Sequence, residues 1–161
     1  MATRTPMTTR GHRALQEELQ RLKTIERIKL TRAIEEARAH GDISENAEYH
    51  AAKEAQGLLE ARIRDLESKM STAQVIDVST LSGEKVVFGA TVQVSDLDSG
   101  DERLVTIVGE EEADVERGLI SINSPFARAL IGKEVSDVAT VKLPSGTKEY
   151  EVLSVKFEAA G

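Results

Sequence analysis

His40-Gly41-Asp42-Ile43-Ser44-Glu45-Asn46-Ala47-Glu48-Tyr49 separates two long runs of helix-forming residues, and its shortness decides how the first half of the chain folds. Upstream, a helix is predicted to start near Thr8 or Thr9 and to carry Leu15, Leu19 and Leu22, then Leu30, Ala33 and Ala37, with the seam drifting around Ile25 and Ile28. Downstream, Ala52, Ala55, Leu59, Ile63, Leu66, Met70 and Ala73 recur at three- or four-residue spacing, the narrow apolar stripe of a coiled-coil seam. No proline falls between Pro6 and Pro125, so nothing interrupts either run. Gly41 suits the left-handed position that closes a helix. Two helices joined by so short a turn are expected to fold back as an antiparallel hairpin, roughly 45 Å long for about 30 residues per helix.

The second half of the chain has a different period. Gln74–Val78, Lys85–Phe88, Thr91–Val94, Leu104–Val108 and Leu119–Ile122 are short β-branched runs separated by Gly, Ser and Asp, and are predicted as strands. Ser124-Pro125 opens a short helix over Phe126–Ile131, with Ser as N-cap and Pro in the first helical position, and Gly132 closes it. Strands at Val138–Leu143 and Tyr150–Phe157 flank a Pro144-Ser145-Gly146 turn. The expected class is α+β: a helical hairpin arm over 1–75 and a small, mainly β domain with one short helix over 76–161.

Composition narrows the function classes. Hydrophobic residues make up 40% and charged residues 30%, which describes a folded chain. Aromatics are only 3% and Trp is absent, so the core must rest on aliphatic side chains. With no cysteine there is neither a disulfide framework nor a thiolate metal site. The opening MATRTPMTTRGH lacks a secretory h-region and no long apolar run follows, so a soluble cytoplasmic protein with no membrane partner is expected. Net charge is −7, shared unevenly: 13 Lys/Arg face 12 Asp/Glu in residues 1–75, against 8 and 16 in residues 76–161. That balance argues against independent nucleic-acid binding, which draws on phosphate neutralisation, and favours a protein partner.

At the turn, Asp42, Glu45 and Glu48 follow one another at intervals of three. One reading is structural: Asp42 as N-cap and Glu45 three residues on form a capping-box variant, and acidic residues suit a helix N-terminus. The other is chemical. Magnesium takes one or two carboxylates and fills its octahedron with water and phosphate, so two carboxylates at an exposed tip bind it only in a site that another molecule completes. The readings are compatible, since a cap carboxylate still has a second oxygen. His12, His40 and His50 are too dispersed to form a metal cluster, and the isolated Gly83, Gly89, Gly100 and Gly109 do not build a phosphate loop.

GDISENAEYHAAKEAQG (41–57) closely resembles the tip signature of the Gre family of bacterial transcript cleavage factors. PMTTRGHRALQEEL (6–19), VIDVS (75–79), VVFGATVQV (86–94) and LISINSPFARALIGK (119–133) resemble that family in the same order, covering essentially the whole chain. The resemblance implies an FKBP-like second domain that docks at the rim of the RNA polymerase secondary channel while the arm enters it. It further implies that Asp42 and Glu45 hold a catalytic Mg2+ jointly with the polymerase and promote hydrolysis of the RNA 3′ end in backtracked complexes. Asn46, Glu48 and Tyr49 then have supporting roles, Arg38 and Lys53 form a sparse RNA-contacting basic patch, and Ser124, Pro125, Phe126, Ala127 and Arg128 form a docking segment. Ser44 stands where related members often carry Lys. The implied partners are bacterial RNA polymerase and the nascent RNA 3′ end, with the chain acting as a monomeric accessory factor and not as an enzyme. Two other classes compete: a channel-binding inhibitor of the same family, disfavoured by the Asp42/Glu45 pair, and a prolyl isomerase, suggested by fold alone and disfavoured by the four aromatics Phe88, Phe126, Tyr150 and Phe157.

Overall fold

In the computed structural model, which describes residues 4–42 and 46–157, the chain forms two compact units. One is Arg13–Thr72; the other combines the described residues of Met1–His12 and Ala73–Gly161. The break expected after residue 75 lies at Thr72/Ala73, and the N-terminal segment joins the second unit through a strand that the sequence reading missed. This strand, β1 (Thr5–Thr8), pairs in parallel with β2 (Ala73–Ile76), from Thr5↔Ala73 to Thr8↔Ile76. Pro6 donates no ladder hydrogen bond, and helix-forming residues follow at once, so local sequence hides β1.

The helical unit runs through α1 (Thr9–Arg21), a π-helical turn (Leu22–Glu26) and α2 (Arg27–Ala39), and returns as α3 (Ala47–Ser71). Leu15, Leu22, Ile34 and Ala37 are buried on the outward run; Ala52, Ile63 and Leu66 are buried on the return. The π turn explains the drifting seam. Its extra residue shifts the phase of the seam, so Ile34 takes the buried place expected of Ala33, which is exposed, while Ala37 is buried as expected. Ile25 and Ile28 consequently face outward, 50% and 51% exposed. Ala73, expected to end the second seam, belongs to β2 because α3 stops at Ser71. Ion pairs fix the register across the hairpin: Arg27 donates to both oxygens of Glu60 at 2.9 and 2.8 Å, and Arg62 to both oxygens of Glu18 at 3.1 and 3.3 Å. The Arg27 hydrogen bond holds the Glu60 carboxyl below its ordinary range and raises the guanidinium in turn.

The second unit is built on a five-stranded sheet in the order β5-β4-β3-β7-β6. Its strands are β3 (Thr91–Asp96), β4 (Glu102–Val108), β5 (Leu119–Ser121), β6 (Val138–Leu143) and β7 (Gly146–Lys156); only β4 and β5 pair in parallel. Side chains alternate along β3, where Val92 and Val94 enter a core shared with Val105, Ile107, Ala139, Val141 and Val152. The short helix α4 (Pro125–Leu130) adds Ala127 and Leu130 to that core. The run Lys85–Phe88 is not a strand. Val86 and Phe88 are buried, yet the run makes an isolated bridge to the segment after α4 and joins no sheet, through Val86 N–H to Lys133 O and Gly132 N–H to Val86 O, both at 2.8 Å. No helix among the described residues is long and apolar enough to cross a membrane.

Two local devices depend on residues distant in sequence. Thr8 caps α1 by accepting from Gly11 N–H at 3.1 Å, while the Glu112 carboxylate accepts from Thr8 N–H and Gly109 N–H, each at 3.0 Å, and from the Thr8 hydroxyl. Glu112 thus does what a Glu at the third helical position does in a capping box, although it lies 104 residues after the cap. That third position is Gly11, and a Cβ there would collide with the Glu112 side chain. In the β3–β4 turn, Asp96 accepts from Asp98 N–H at 2.8 Å and Ser99 N–H at 3.3 Å. The Asp98 bond foremost, with help from Ser99 and the Lys148 ammonium, holds its carboxyl below the usual range against the opposing effect of burial.

Two expectations follow for thermal melts. Gly57 lies in α3 with open space around it, so Gly57→Ala is expected to stabilise by roughly 1 kcal/mol, whereas Gly11→Ala, at an equally helical site, destabilises by about 1 kcal/mol or more. Asp96→Asn keeps an acceptor for the turn but removes the charge. Because the folded pKa is lowered, Asp96 stabilises fully above its ordinary value near ~4, and that stabilisation disappears as pH falls through the lowered value. The melting-temperature gap between wild type and Asp96→Asn, measured from pH 7 to pH 2, is therefore expected to close in acid.

Candidate functional site

At the hairpin tip, α2 ends where His40 N–H bonds back to Ala37 O at 3.2 Å and Gly41 takes a φ of +122°, a conformation open chiefly to glycine. The return helix does not begin at Asp42. Its N-cap is Asn46, extended at φ −87° and ψ 97°, whose Oδ1 accepts from Tyr49 N–H at 3.1 Å. Asp42 as N-cap of the second helix is thereby corrected. The helix-forming run starts at Ala47, and the cap residue sits immediately before it. Asp42 lies exposed on the turn; Glu45 lies outside the described residues.

Asn46 also reaches across the tip. Its Nδ2 donates to Ala37 O in the last turn of α2, so one side chain closes both helix ends. The sequence offers Asp42 for the cap and carries no signal for this second bond. The signal for the cap was there: Asn ranks with Asp and Ser at that position, and Ala47-Glu48-Tyr49-His50-Ala51-Ala52 opens a strong helical run.

Glu48 is exposed in the first turn of α3, where a negative charge complements the helix dipole. Tyr49 is half-buried. The Arg38 guanidinium lies 5.7 Å from its ring centroid, and the His50 ring meets it edge-on at 5.6 Å. Lys53 stands four residues beyond Tyr49 on the same face of α3 and bonds to Gln56 at 3.1 Å. The structure therefore gathers Arg38, Asn46, Tyr49 and Lys53 at one end of the hairpin. Among the described residues no group of three or more His, Cys, Asp or Glu side chains is placed to hold a metal ion.

The Ser124–Arg128 segment divides by exposure. Ser124 caps α4, accepting from Ala127 N–H at 3.2 Å and donating to Ser121 O at 2.7 Å. Ala127 is fully buried, and Phe126 packs edge-on against Tyr150 with centroids 4.9 Å apart. The Arg103 guanidinium covers Phe126 at 5.1 Å. Only Pro125 and Arg128 are exposed, so Ala127 offers no side-chain contact to a partner and acts from within the core.

Residues 5–75 match the family described as "Transcription elongation factor, N-terminal", and residues 81–157 the one described as "Transcription elongation factor, GreA/GreB, C-term". The chain belongs to the GreA/GreB family of transcription elongation factors. It is 57% identical to transcription elongation factor GreA of Methylococcus capsulatus over 155 residues, 96% of this chain and 98% of that protein. To transcription elongation factor GreA of Phenylobacterium zucineum it is 59% identical over 152 residues, covering 94% and 97%. The crystal structure of GreA factor homolog 1 (Gfh1) of Thermus thermophilus is similar at 30% identity and a TM-score of 0.43, over 95% of this chain and 99% of that one.

For this GreA/GreB family member, Arg38→Ala is expected to cost the hairpin roughly 0.5–1 kcal/mol by loss of the ring contact. NMR would show the Tyr49 ring signals moving while those of Tyr150 stay in place.

Proposed function

We propose that the chain enters the secondary channel of bacterial RNA polymerase by its hairpin tip, where Asp42 and Glu45 complete a magnesium site for cleavage of the RNA 3′ end in backtracked complexes. The observation that carries this reading is the cap. Asn46 and not Asp42 is the N-cap of α3, and Asp42 lies exposed on the turn between the two helices, where another molecule can reach it. Family membership over nearly the full chain supports the same reading.

The donor set suits a shared site. Asp42 and Glu45 supply the one or two carboxylates that magnesium ordinarily takes from protein, leaving the other positions to polymerase, phosphate and water. When bound there, the ion would supply Lewis-acid stabilisation to the attacking and leaving oxygens of an in-line displacement. Asp42 and Glu45 place negative charge where that ion belongs, and Arg38 and Lys53 offer cations to the displaced RNA backbone. Pro125 and Arg128 give the second unit an exposed point of contact at the channel rim. In this role the factor is a monomeric cytoplasmic accessory protein that completes another enzyme's active site.

The test is RNA 3′-end release from backtracked polymerase with magnesium, using wild type and Asp42→Asn/Glu45→Gln protein. Wild type is expected to stimulate cleavage and the double variant to lose about 100-fold of that stimulation, ~2.7 kcal/mol of transition-state stabilisation. Both are expected to compete equally for polymerase. Equal competition with no stimulation by either protein would instead identify a channel-blocking inhibitor.

A further inference from the structure

We infer that Tyr49 is a positioning residue that holds the Arg38 guanidinium over its ring, charged and able to bond, for a phosphate of the displaced RNA; this deepens the function proposed above and rests on it. Arg38 stands in the last turn of α2 and Tyr49 in the first turn of α3, so the contact joins the two helices next to the tip. The guanidinium carbon lies 5.7 Å from the ring centroid. The ring is itself braced. Tyr49 is half-buried, the His50 ring meets it edge-on, and its backbone N–H is held by the Asn46 cap.

What holds a cation decides what it can still bind. Arg27 and Arg62, in the shaft of the hairpin, each give two N–H groups to one carboxylate, Glu60 and Glu18 respectively, and the pairing offsets their charge. A phosphate would have to displace that carboxylate. Among the described residues no acceptor bonds the Arg38 guanidinium, and the ring offers none: it attracts the cation through its quadrupole and leaves all five N–H donors unspent. Lys53, one turn beyond Tyr49 on the same face of α3, is likewise held by a neutral partner, the Gln56 amide oxygen at 3.1 Å. Two cations beside the tip thus have partners that carry no charge. A long arginine side chain loses rotamer freedom when it closes onto a phosphate, and over the ring part of that freedom is gone before RNA arrives.

The test uses full-length protein and backtracked polymerase at saturating magnesium, and reads the factor concentration that gives half-maximal RNA 3′-end cleavage. Tyr49→Leu keeps an apolar helix former but removes the ring, and is expected to raise that concentration roughly two- to fivefold. Tyr49→Phe, which keeps the ring, is expected to restore the wild-type requirement. In an Arg38→Ala background Tyr49→Leu is expected to add nothing, since the cation it positions is gone. Arg38→Ala itself is expected to make the salt dependence shallower by about 0.7 in logarithmic slope, one phosphate contact to a single strand. Competition for polymerase that holds no displaced RNA is expected to be the same for every variant. A wild-type requirement in Tyr49→Leu, full additivity with Arg38→Ala, or an unchanged salt slope overturns the inference. Weakened competition by Tyr49→Leu for polymerase without displaced RNA would mark Tyr49 as a structural prop and overturn it too. So would a loss in Tyr49→Phe as large as in Tyr49→Leu, which would make the hydroxyl the active group. If wild type itself fails to stimulate cleavage, the functional reading falls and this inference with it. If wild type stimulates and Tyr49→Leu matches it, the inference alone is wrong.

Discussion

The tip owes its geometry to the small size of the residues buried beneath it. Ala37 on α2 and Ala52 on α3 are both buried near the turn, whereas Leu15, Leu22, Ile63 and Leu66 fill the seam further from it. Helix separation follows the side chains at the contact, so alanines permit a closer approach than the leucines and isoleucines of the seam. That proximity lets a side chain as short as asparagine, rooted on one helix, reach a carbonyl of the other. Larger residues at 37 or 52 would push the helices apart and leave the last carbonyls of α2 to solvent.

Along the rest of the hairpin, apolar burial and charge divide the work. The seam is narrow and interrupted by the π turn, so it supplies association but leaves register loosely specified. Arg27–Glu60 and Arg62–Glu18 supply register, because a bidentate guanidinium–carboxylate pair tolerates little sliding. Partly exposed pairs of this kind add little stability, and their contribution here is geometric.

The second unit meets a different constraint. With three Phe and no Trp in the whole chain, its core is assembled mainly from valine, isoleucine, leucine and alanine, with Phe88 and Tyr150 added. Long-range polar contacts then attach the parts that the sheet does not reach. Glu112 ties the end of β1 and the start of α1 to the loop after β4, using a carboxylate for which Gly11 leaves room. Residues 4–12 are thus part of the same unit as residues that follow the whole helical hairpin.

Much of this was legible in order of residues alone. Helical periodicity, the absence of proline and the glycine at 41 are local properties, and they determined a hairpin, its turn and a first helix starting near Thr8 or Thr9. Ser124-Pro125 determined α4 in the same way. The signature around the turn marked its family, and 41–57 held the residues that, with Arg38, the structure brings to one end of the hairpin. What local sequence could not decide were contacts made across chain distance. The strand β1 exists only because Ala73–Ile76 lies beside it, and Lys85–Phe88, strand-like in composition, finds its partners after α4 instead of in the sheet. The phase of the seam depended on a π turn that no residue announces, and the bond from Asn46 to Ala37 O formed because that carbonyl was within reach on the other helix. Sequence determined which segments become helix or strand, since that follows from neighbours three or four residues away. Tertiary structure decided which polar groups meet, since a hydrogen bond depends on distance in space and not along the chain.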